Sequence, residues 1–328
     1  MTNLNSKFSK QDVLDMLDSR GMAQQDLFAR ARKVRSEYFG DQSFVRGVIE
    51  LTNQCRVNCS YCPMRRDNTR ENNTFYLGAD EILTAATEIR KLGIRVVFFQ
   101  GGEVPQTTGL LAEVIPQIKD LFHGDVEILL NIGIKPEKEY ALLRNCGADS
   151  VILKYETSDP ALHELHRGES LQPRIDCIHI LQSLGFKTGS GTIVGLPGQT
   201  LDMLADDVLL SRSLELDMTS GSPFLPAPDT PLHENAPGDL ETSLNTIAAF
   251  RITSPQTLIP SVSALERLMP GGQRRGLDAG ANVLTINFTP EQRLKDYLIY
   301  GKNRYLVRAD HVKNILADAG LKNPVSTS

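Results

Sequence analysis

Residues 45–62 read VRGVIELTNQCRVNCSYC: an apolar run of strand length, VRGVIELT, followed at once by a loop that holds Cys55, Cys59 and Cys62. The run has few polar interruptions, as expected of a strand covered on both faces. Seven more runs of this kind follow: VVFFQGG from Val96, VEILLNIG from Val126, SVILKYET from Ser150, KTGSGTIVG from Lys187, MTSGSPFLP from Met218, LIPSVSA from Leu258 and NVLTINFTP from Asn282. Between them lie segments of helical periodicity, among them ADEILTAATEIRKLG from Ala79 and LDMLADDVLLSRSLEL from Leu201, many ending in Gly or opening beside Asp, Ser or Thr. Eight such strands joined by helical crossovers predict an α/β fold, a parallel sheet closed as a (β/α)8 TIM barrel. An open doubly wound sheet is the alternative.

Ahead of the first strand, Leu27, Ala31, Val34 and Tyr38 recur at helical spacing, which makes residues 1–44 an N-terminal helical extension packed on the barrel. Beyond the last strand, EQRLKDYLIYGKNRY and RADHVKNILADAGL make 291–328 a C-terminal helical segment. The barrel core is then 45–290, within one domain spanning 1–328.

The chain of 328 residues is 41% hydrophobic and 23% charged, with a formal net charge of -5 and no long run of one sign. This describes an ordinary globular protein and indicates no nucleic-acid surface. Lys7, Lys10, Asp12, Asp15, Asp18, Arg20 and Asp26 leave no apolar stretch for a signal peptide, and no later run reaches membrane-spanning length, so a cytoplasmic protein is expected. Five cysteines, three of them clustered, do not resemble a secreted disulfide framework.

On a barrel, the cysteine loop sits at the C-terminal end of the first strand, where barrel enzymes assemble their active sites. A structural zinc site takes four protein ligands, and His123, Cys146 and Cys177 lie too far along the chain for the sequence to nominate a fourth. A cubane iron-sulfur cluster held for electron transfer also takes four cysteines, so three leave one iron open to a substrate or cofactor.

The spacing Cys-x3-Cys-x2-Cys, with Tyr61 before its last cysteine, resembles the signature of the radical S-adenosylmethionine (SAM) superfamily. That resemblance implies one 4Fe-4S cluster on Cys55, Cys59 and Cys62 and reductive cleavage of SAM to methionine and a 5'-deoxyadenosyl radical. It also implies SAM contacts at Gly101, Gly102 and Glu103 of QGGEVP, at Glu156 and Arg167 of KYETSDPALHELHRGES with Arg174 behind them, and at Ile193 and Val194 of GSGTIVGLPGQT. The last segment lacks the spacing of a dinucleotide-binding fingerprint. A reductant such as flavodoxin or ferredoxin is implied as a partner, with a small molecule or metal complex as substrate.

The resemblance runs over nearly the whole chain and is to the group of biotin synthase, the iron-only hydrogenase maturase branch (HydE-like) and methylornithine synthase. RRDN, YETSDPALH, GLPGQT, PFLPAPDTPL, MPGG and NFTP look most like the maturase branch. Positions that carry a second cluster in biotin synthase read approximately Phe98, Leu129, Gly189 and Pro260, and the amino-acid anchors of methylornithine synthase are replaced by Val104, Ser220 and Ala264. Paired threonines of the maturase fall on Val262 and Ser263. Sulfur insertion and carbon-skeleton rearrangement are therefore the alternative chemistries, and an iron-sulfur electron-transfer or sensor protein is the non-enzymatic one. Polar strand residues expected to line the substrate pocket are Asn131, Lys154, Ser190, Ser222, Ser263 and Asn287, with Lys154 on the same side as Glu156 by period-two alternation.

Overall fold

The computed structural model describes residues 8–69, 73–301 and 304–323; the outermost parts of the two terminal segments lie outside the described residues. Two helices lead, α1 (Lys10–Leu17) and α2 (Gly21–Phe39). There follow β1 (Phe44–Thr52), α3 (Arg66–Thr69), α4 (Ala79–Lys91), β2 (Val96–Gly101), α5 (Thr107–Leu121), β3 (Glu127–Asn131), α6 (Glu137–Asn145) and β4 (Ser150–Ile152). Then come α7 (Pro160–Arg167), α8 (Gln172–Ser183), β5 (Lys187–Val194), α9 (Leu201–Ser213), β6 (Met218–Pro223) and α10 (Leu240–Thr253). The chain closes with α11 (Ser263–Leu268), α12 (Gly272–Asp278), β7 (Val283–Asn287), α13 (Glu291–Leu294) and α14 (Ala309–Asp318).

The seven strands form one sheet in the order β6-β5-β4-β3-β2-β1-β7, and every pair is parallel. The expected strand at Leu258 is not a regular strand. Pro260 has no amide hydrogen to give a ladder, and the segment is reduced to isolated bridges, Met218 with Leu258 and Pro260 with Val283. Those bridges nonetheless close the ring. Thr219 N donates to Leu258 O (3.0 Å) on one side, and Ser261 N donates to Val283 O (2.9 Å) on the other. Sheet curvature and helical crossovers thus give the expected barrel architecture.

Local chemistry starts and stops the helices that matter for the site. Asp159 caps α7 by accepting from Leu162 N at 2.7 Å, Pro160 occupies its first turn, and Gly168 ends it in a left-handed conformation (φ 70). Thr200 caps α9 through Met203 N (3.2 Å). Strand alternation divides the burial: Val45, Ile49 and Leu51 of β1 join the core between sheet and helices, whereas Val48 packs in the lumen with Phe98, Leu129 and Met218. The N-terminal helices cover one side of the barrel, α1 against α9 and α10 and α2 against α10 and α12. Lys10 reaches Asp202 and Asp206 of α9 at 2.7 Å each.

Candidate active site

A cavity of about 340 Å³ lies in the lumen and opens at the C-terminal ends of the strands, with all three clustered cysteines in its wall. Backbone bonds hold their loop: Arg56 N to Glu103 O (3.0 Å), Ser60 N to His166 O (2.8 Å) and Arg66 N to Val57 O (2.9 Å). His166 braces it further, because Nε2 donates to Pro197 O (2.8 Å) and leaves Nδ1 of the neutral ring to accept from Ser60 Oγ (2.9 Å). Glu103 N donates to Cys55 Sγ at 3.3 Å. Burial pushes the Cys59 and Cys62 thiols above the ordinary cysteine value, so their ionisation calls for a positive charge placed among them. Among the described residues, no three His, Cys, Asp or Glu side chains converge as ligands of a single metal ion do. Cys55, Cys59 and Cys62 nonetheless all line the same cavity.

Two glycines let the neighbouring turn lie this close. A Cβ at Gly102 would fall 1.8 Å from the Gln54 carbonyl oxygen, beneath the cysteine loop. Gly133, at φ +76, has the Glu103 carboxylate where its own Cβ would be, 2.3 Å away. Glu103 is 5% exposed and faces three guanidiniums. One oxygen pairs with Arg56, and the other lies 3.4 Å from Arg174 Nη1 and 3.9 Å from Arg167 Nη2. Arg174 is fixed in turn by Nε donating to Lys154 O (2.7 Å). Arg167 also lines the cavity; its Nη1 is 3.4 Å from Tyr61 Oη, and its buried Nε has no hydrogen-bond partner among the described residues. An orphaned donor on a buried cation, in the wall that holds three thiols, is a place made for a carboxylate.

Glu156 enters the cavity from the end of β4. Its backbone is left-handed at φ 66, a conformation that costs a non-glycine residue about 1–3 kcal/mol. The β5 edge imposes it: Glu156 N donates to Gly191 O (3.0 Å) and Glu156 O accepts from Ile193 N (2.8 Å), with Thr192 Oγ1 2.9 Å from the same carbonyl. Lys154 Nζ stands 3.0 Å from Glu156 Oε2, close enough to pair although not aligned as a hydrogen bond.

A sequence model of the radical SAM superfamily matches residues 49–210, from β1 into α9. The [FeFe] hydrogenase maturase subunit HydE of Thermotoga maritima is 36% identical over 276 residues, covering 84% of this chain and 78% of that one. This chain belongs to the radical SAM superfamily. It is also 26% identical to the 3-methylornithine synthase of Methanosarcina acetivorans, over 84% of this chain and 78% of that one. The crystal structure of a methylornithine synthase (PylB) superposes with a TM-score of 0.85 at 24% identity, covering 97% of this chain and 95% of that one, and thus shares the fold. The chain is a radical SAM enzyme with the barrel of that superfamily.

Of the residues singled out as contacts for the cluster, SAM or substrate, most meet in this one cavity: Cys55, Cys59, Cys62, Tyr61, Gly101, Gly102, Glu103, Glu156, Arg167, Arg174 and Ile193, with Asn131, Lys154, Ser222, Ser263 and Asn287. Two do not. Ser190 points away from the lumen, its Oγ accepting from Tyr155 N (3.1 Å), because Gly189 and Gly191 take the inward positions of β5. Val194, one residue beyond inward-facing Ile193, is buried in the core against the helices.

The structure adds residues that the sequence analysis passed over. Arg46 and Glu50 share the inward face of β1 with Val48, a signal present in the alternation. Arg304 gave no such signal, since it lies beyond the last strand. It forms a buried two-pronged ion pair with Glu50, one arm at 2.7 Å, and lies over the Tyr297 ring. Tyr300, left-handed at φ 63, lines the cavity beside Ser222, and burial pushes its phenol up to about 12.

Proposed function

We propose that Cys55, Cys59 and Cys62 hold a single 4Fe-4S cluster and that Glu103, Glu156, Arg167 and Ile193 hold SAM beside it. The observation that carries this reading is the orphaned, buried Nε of Arg167 in the wall that also carries the three thiols. Bound there, the cluster and SAM supply reductive cleavage of the sulfonium, giving methionine and a 5'-deoxyadenosyl radical for hydrogen abstraction or addition. The chain's own work is placement and exclusion of water. Arg167 would offer its guanidinium to the carboxylate of SAM, Glu156 would accept from the ribose hydroxyls, and Ile193 would flank the adenine. Tyr61 packs beside Ile193, Leu162, Leu196 and Phe224, an apolar border that keeps solvent from the reacting centre. Electrons would come from a flavodoxin- or ferredoxin-type donor.

The substrate belongs deeper in the lumen, and its charge is argued from Arg46. That residue is 3% exposed, lines the cavity and has no hydrogen-bond or ion-pair partner among the described residues. Burial brings its pKa down to about 10, so it stays charged at neutral pH. Glu127, the nearest acidic influence, is already engaged by Ser150 Oγ (2.7 Å) and Lys187 Nζ (3.5 Å). An unpaired buried cation is costly, and an anionic group on the substrate removes that cost. The positions matching the second cluster of biotin synthase offer phenyl, isobutyl, hydrogen and pyrrolidine groups at Phe98, Leu129, Gly189 and Pro260, none an iron ligand. This disfavours sulfur insertion and favours a HydE-like reaction on a small molecule or metal complex.

The test is anaerobic reconstitution, reduction and chromatography of the SAM products. Slow formation of 5'-deoxyadenosine and methionine without substrate is the expected result; S-adenosylhomocysteine with no deoxyadenosine rejects the reading. A second expected outcome concerns Arg46. Anionic small-molecule fractions of a cell extract should accelerate deoxyadenosine formation, and in Arg46→Met the ratio of stimulated to unstimulated rate should fall to near one. Stimulation by cationic fractions alone rejects the anionic substrate.

A further inference from the structure

One carboxylate outside the cavity wall remains without a role in the reading above. Asp207 lies on α9, fully buried, and among the described residues no cation pairs with it. It instead gathers hydrogen-bond donors from two other elements. Oδ1 accepts from Ser158 N at 2.5 Å and Ser158 Oγ at 2.6 Å, both just beyond Glu156. Oδ2 accepts from Thr192 Oγ1 at 2.5 Å and Gln199 Nε2 at 3.0 Å, on the end of β5 and the loop after it. Tyr155, on the other side of Glu156, donates its hydroxyl to the Asp207 carbonyl at 2.6 Å.

The same atoms hold Glu156 in its left-handed turn. Thr192 Oγ1 lies 2.5 Å from Asp207 Oδ2 and 2.9 Å from Glu156 O, so its single proton is divided between two acceptors and the hydroxyl places the carboxylate of α9 against the backbone that aims Glu156. Gln199 repeats the arrangement around the neighbouring residue: Nε2 also donates to Ile193 O (3.0 Å), and Oε1 accepts from Gly195 N (2.7 Å). A strained turn persists only where its surroundings over-determine it, and here one buried anion behind Thr192 and Ser158 adds to the backbone bonds from β5. Neither Cys loop nor Glu103 is part of the network. Arg167, by contrast, is held by Tyr61 and Glu103.

The geometry points to Asp207 as the positioning residue for the adenosyl half of SAM, acting through Thr192, Ser158 and Gln199 to fix Glu156 and Ile193. This rests on the proposal that Glu156 and Ile193 contact SAM. An asparagine is nearly isosteric but turns one acceptor into a donor, so that Ser158 N or Gln199 Nε2 meets N–H with N–H, and the hydroxyl of Ser158 or Thr192 must turn from donor to acceptor. The glutamate turn then loses its clamp while the methionine end, on Arg167 and the cluster, keeps its contacts.

The experiment uses the full chain with its cluster reconstituted. Asp207→Asn and Thr192→Val are compared with wild type at equal iron content, titrating the reduced cluster by electron paramagnetic resonance with SAM and with methionine, and measuring inhibition of SAM cleavage by 5'-deoxyadenosine. The expected result is a tenfold or greater weakening for SAM and 5'-deoxyadenosine in Asp207→Asn, about fivefold in Thr192→Val, and the wild-type response to methionine. Unchanged SAM affinity in a variant with an intact cluster overturns the inference, and so does an equal loss for methionine and SAM, which signifies only a damaged fold. Thr192→Val, which keeps the side-chain shape, decides the matter where Asp207→Asn does not accumulate as folded holoprotein. If wild type itself shows no response to SAM, the SAM reading falls and this inference falls with it; a wild-type response shared in full by the variants sinks the inference alone.

Discussion

Anaerobically reconstituted wild-type protein is expected to bind about four irons per chain, and Cys59→Ala to bind almost none. Cys59 is the least exposed residue of the three, at 6%, in a loop whose backbone bonds leave little freedom for a substitute ligand to swing in. The remaining two cysteines and the backbone cannot complete a three-point attachment. Iron content and the broad visible absorbance of the cluster should disappear together, and SAM cleavage with them. Cys146 and Cys177 lie at the end of α6 and within α8, outside the cavity wall, so Cys146→Ala and Cys177→Ala should keep iron and absorbance. Two clusters in wild type, or an iron-replete Cys59→Ala, would refute the assignment.

Arg167→Ala and Glu156→Ala should separate SAM binding from cluster binding. Arg167 is 6% exposed, so a contact between its guanidinium and the carboxylate of SAM would be shielded from water and little discounted. Loss of one such charge-assisted contact amounts to roughly 1.5–3 kcal/mol, or about tenfold to somewhat beyond a hundredfold in affinity. Glu156→Ala keeps a Cβ in the left-handed turn, so any loss reports the carboxylate rather than relief of the backbone. The measurement is a SAM titration of the reduced cluster by electron paramagnetic resonance, at equal iron content. Wild-type affinity and deoxyadenosine yield in both variants would remove these residues from the SAM site while leaving the cysteines in place.

Much of this site follows from local pattern. Strand order alone puts the loop after β1 at the barrel mouth, and alternation puts Lys154 and Glu156 on one face, where both line the cavity. The same rule, applied along β5, would have turned Ser190 and Val194 outward, because the small inward positions there are Gly189 and Gly191. At Leu258 the apolar run looked like a strand, yet Pro260 limits it to bridges that still join β6 to β7.

What the sequence by itself determined is the class of chemistry and the kind of scaffold: three thiols at a fixed spacing, eight apolar runs with helices between them, and polar residues at alternate positions along those runs. These are short-range properties, encoded in neighbours along the chain. Only the tertiary structure decided that Arg304 closes on Glu50 across 254 positions, that Arg46 is left without a hydrogen-bond or ion-pair partner among the described residues, and that Asp207 stands behind Glu156. Each of those depends on ring closure and on which loops meet over the barrel mouth. Local periodicity tells which face a side chain shares, but the identity of what lies opposite is settled only when distant elements pack and their buried charges and hydrogen-bonding groups must be satisfied together.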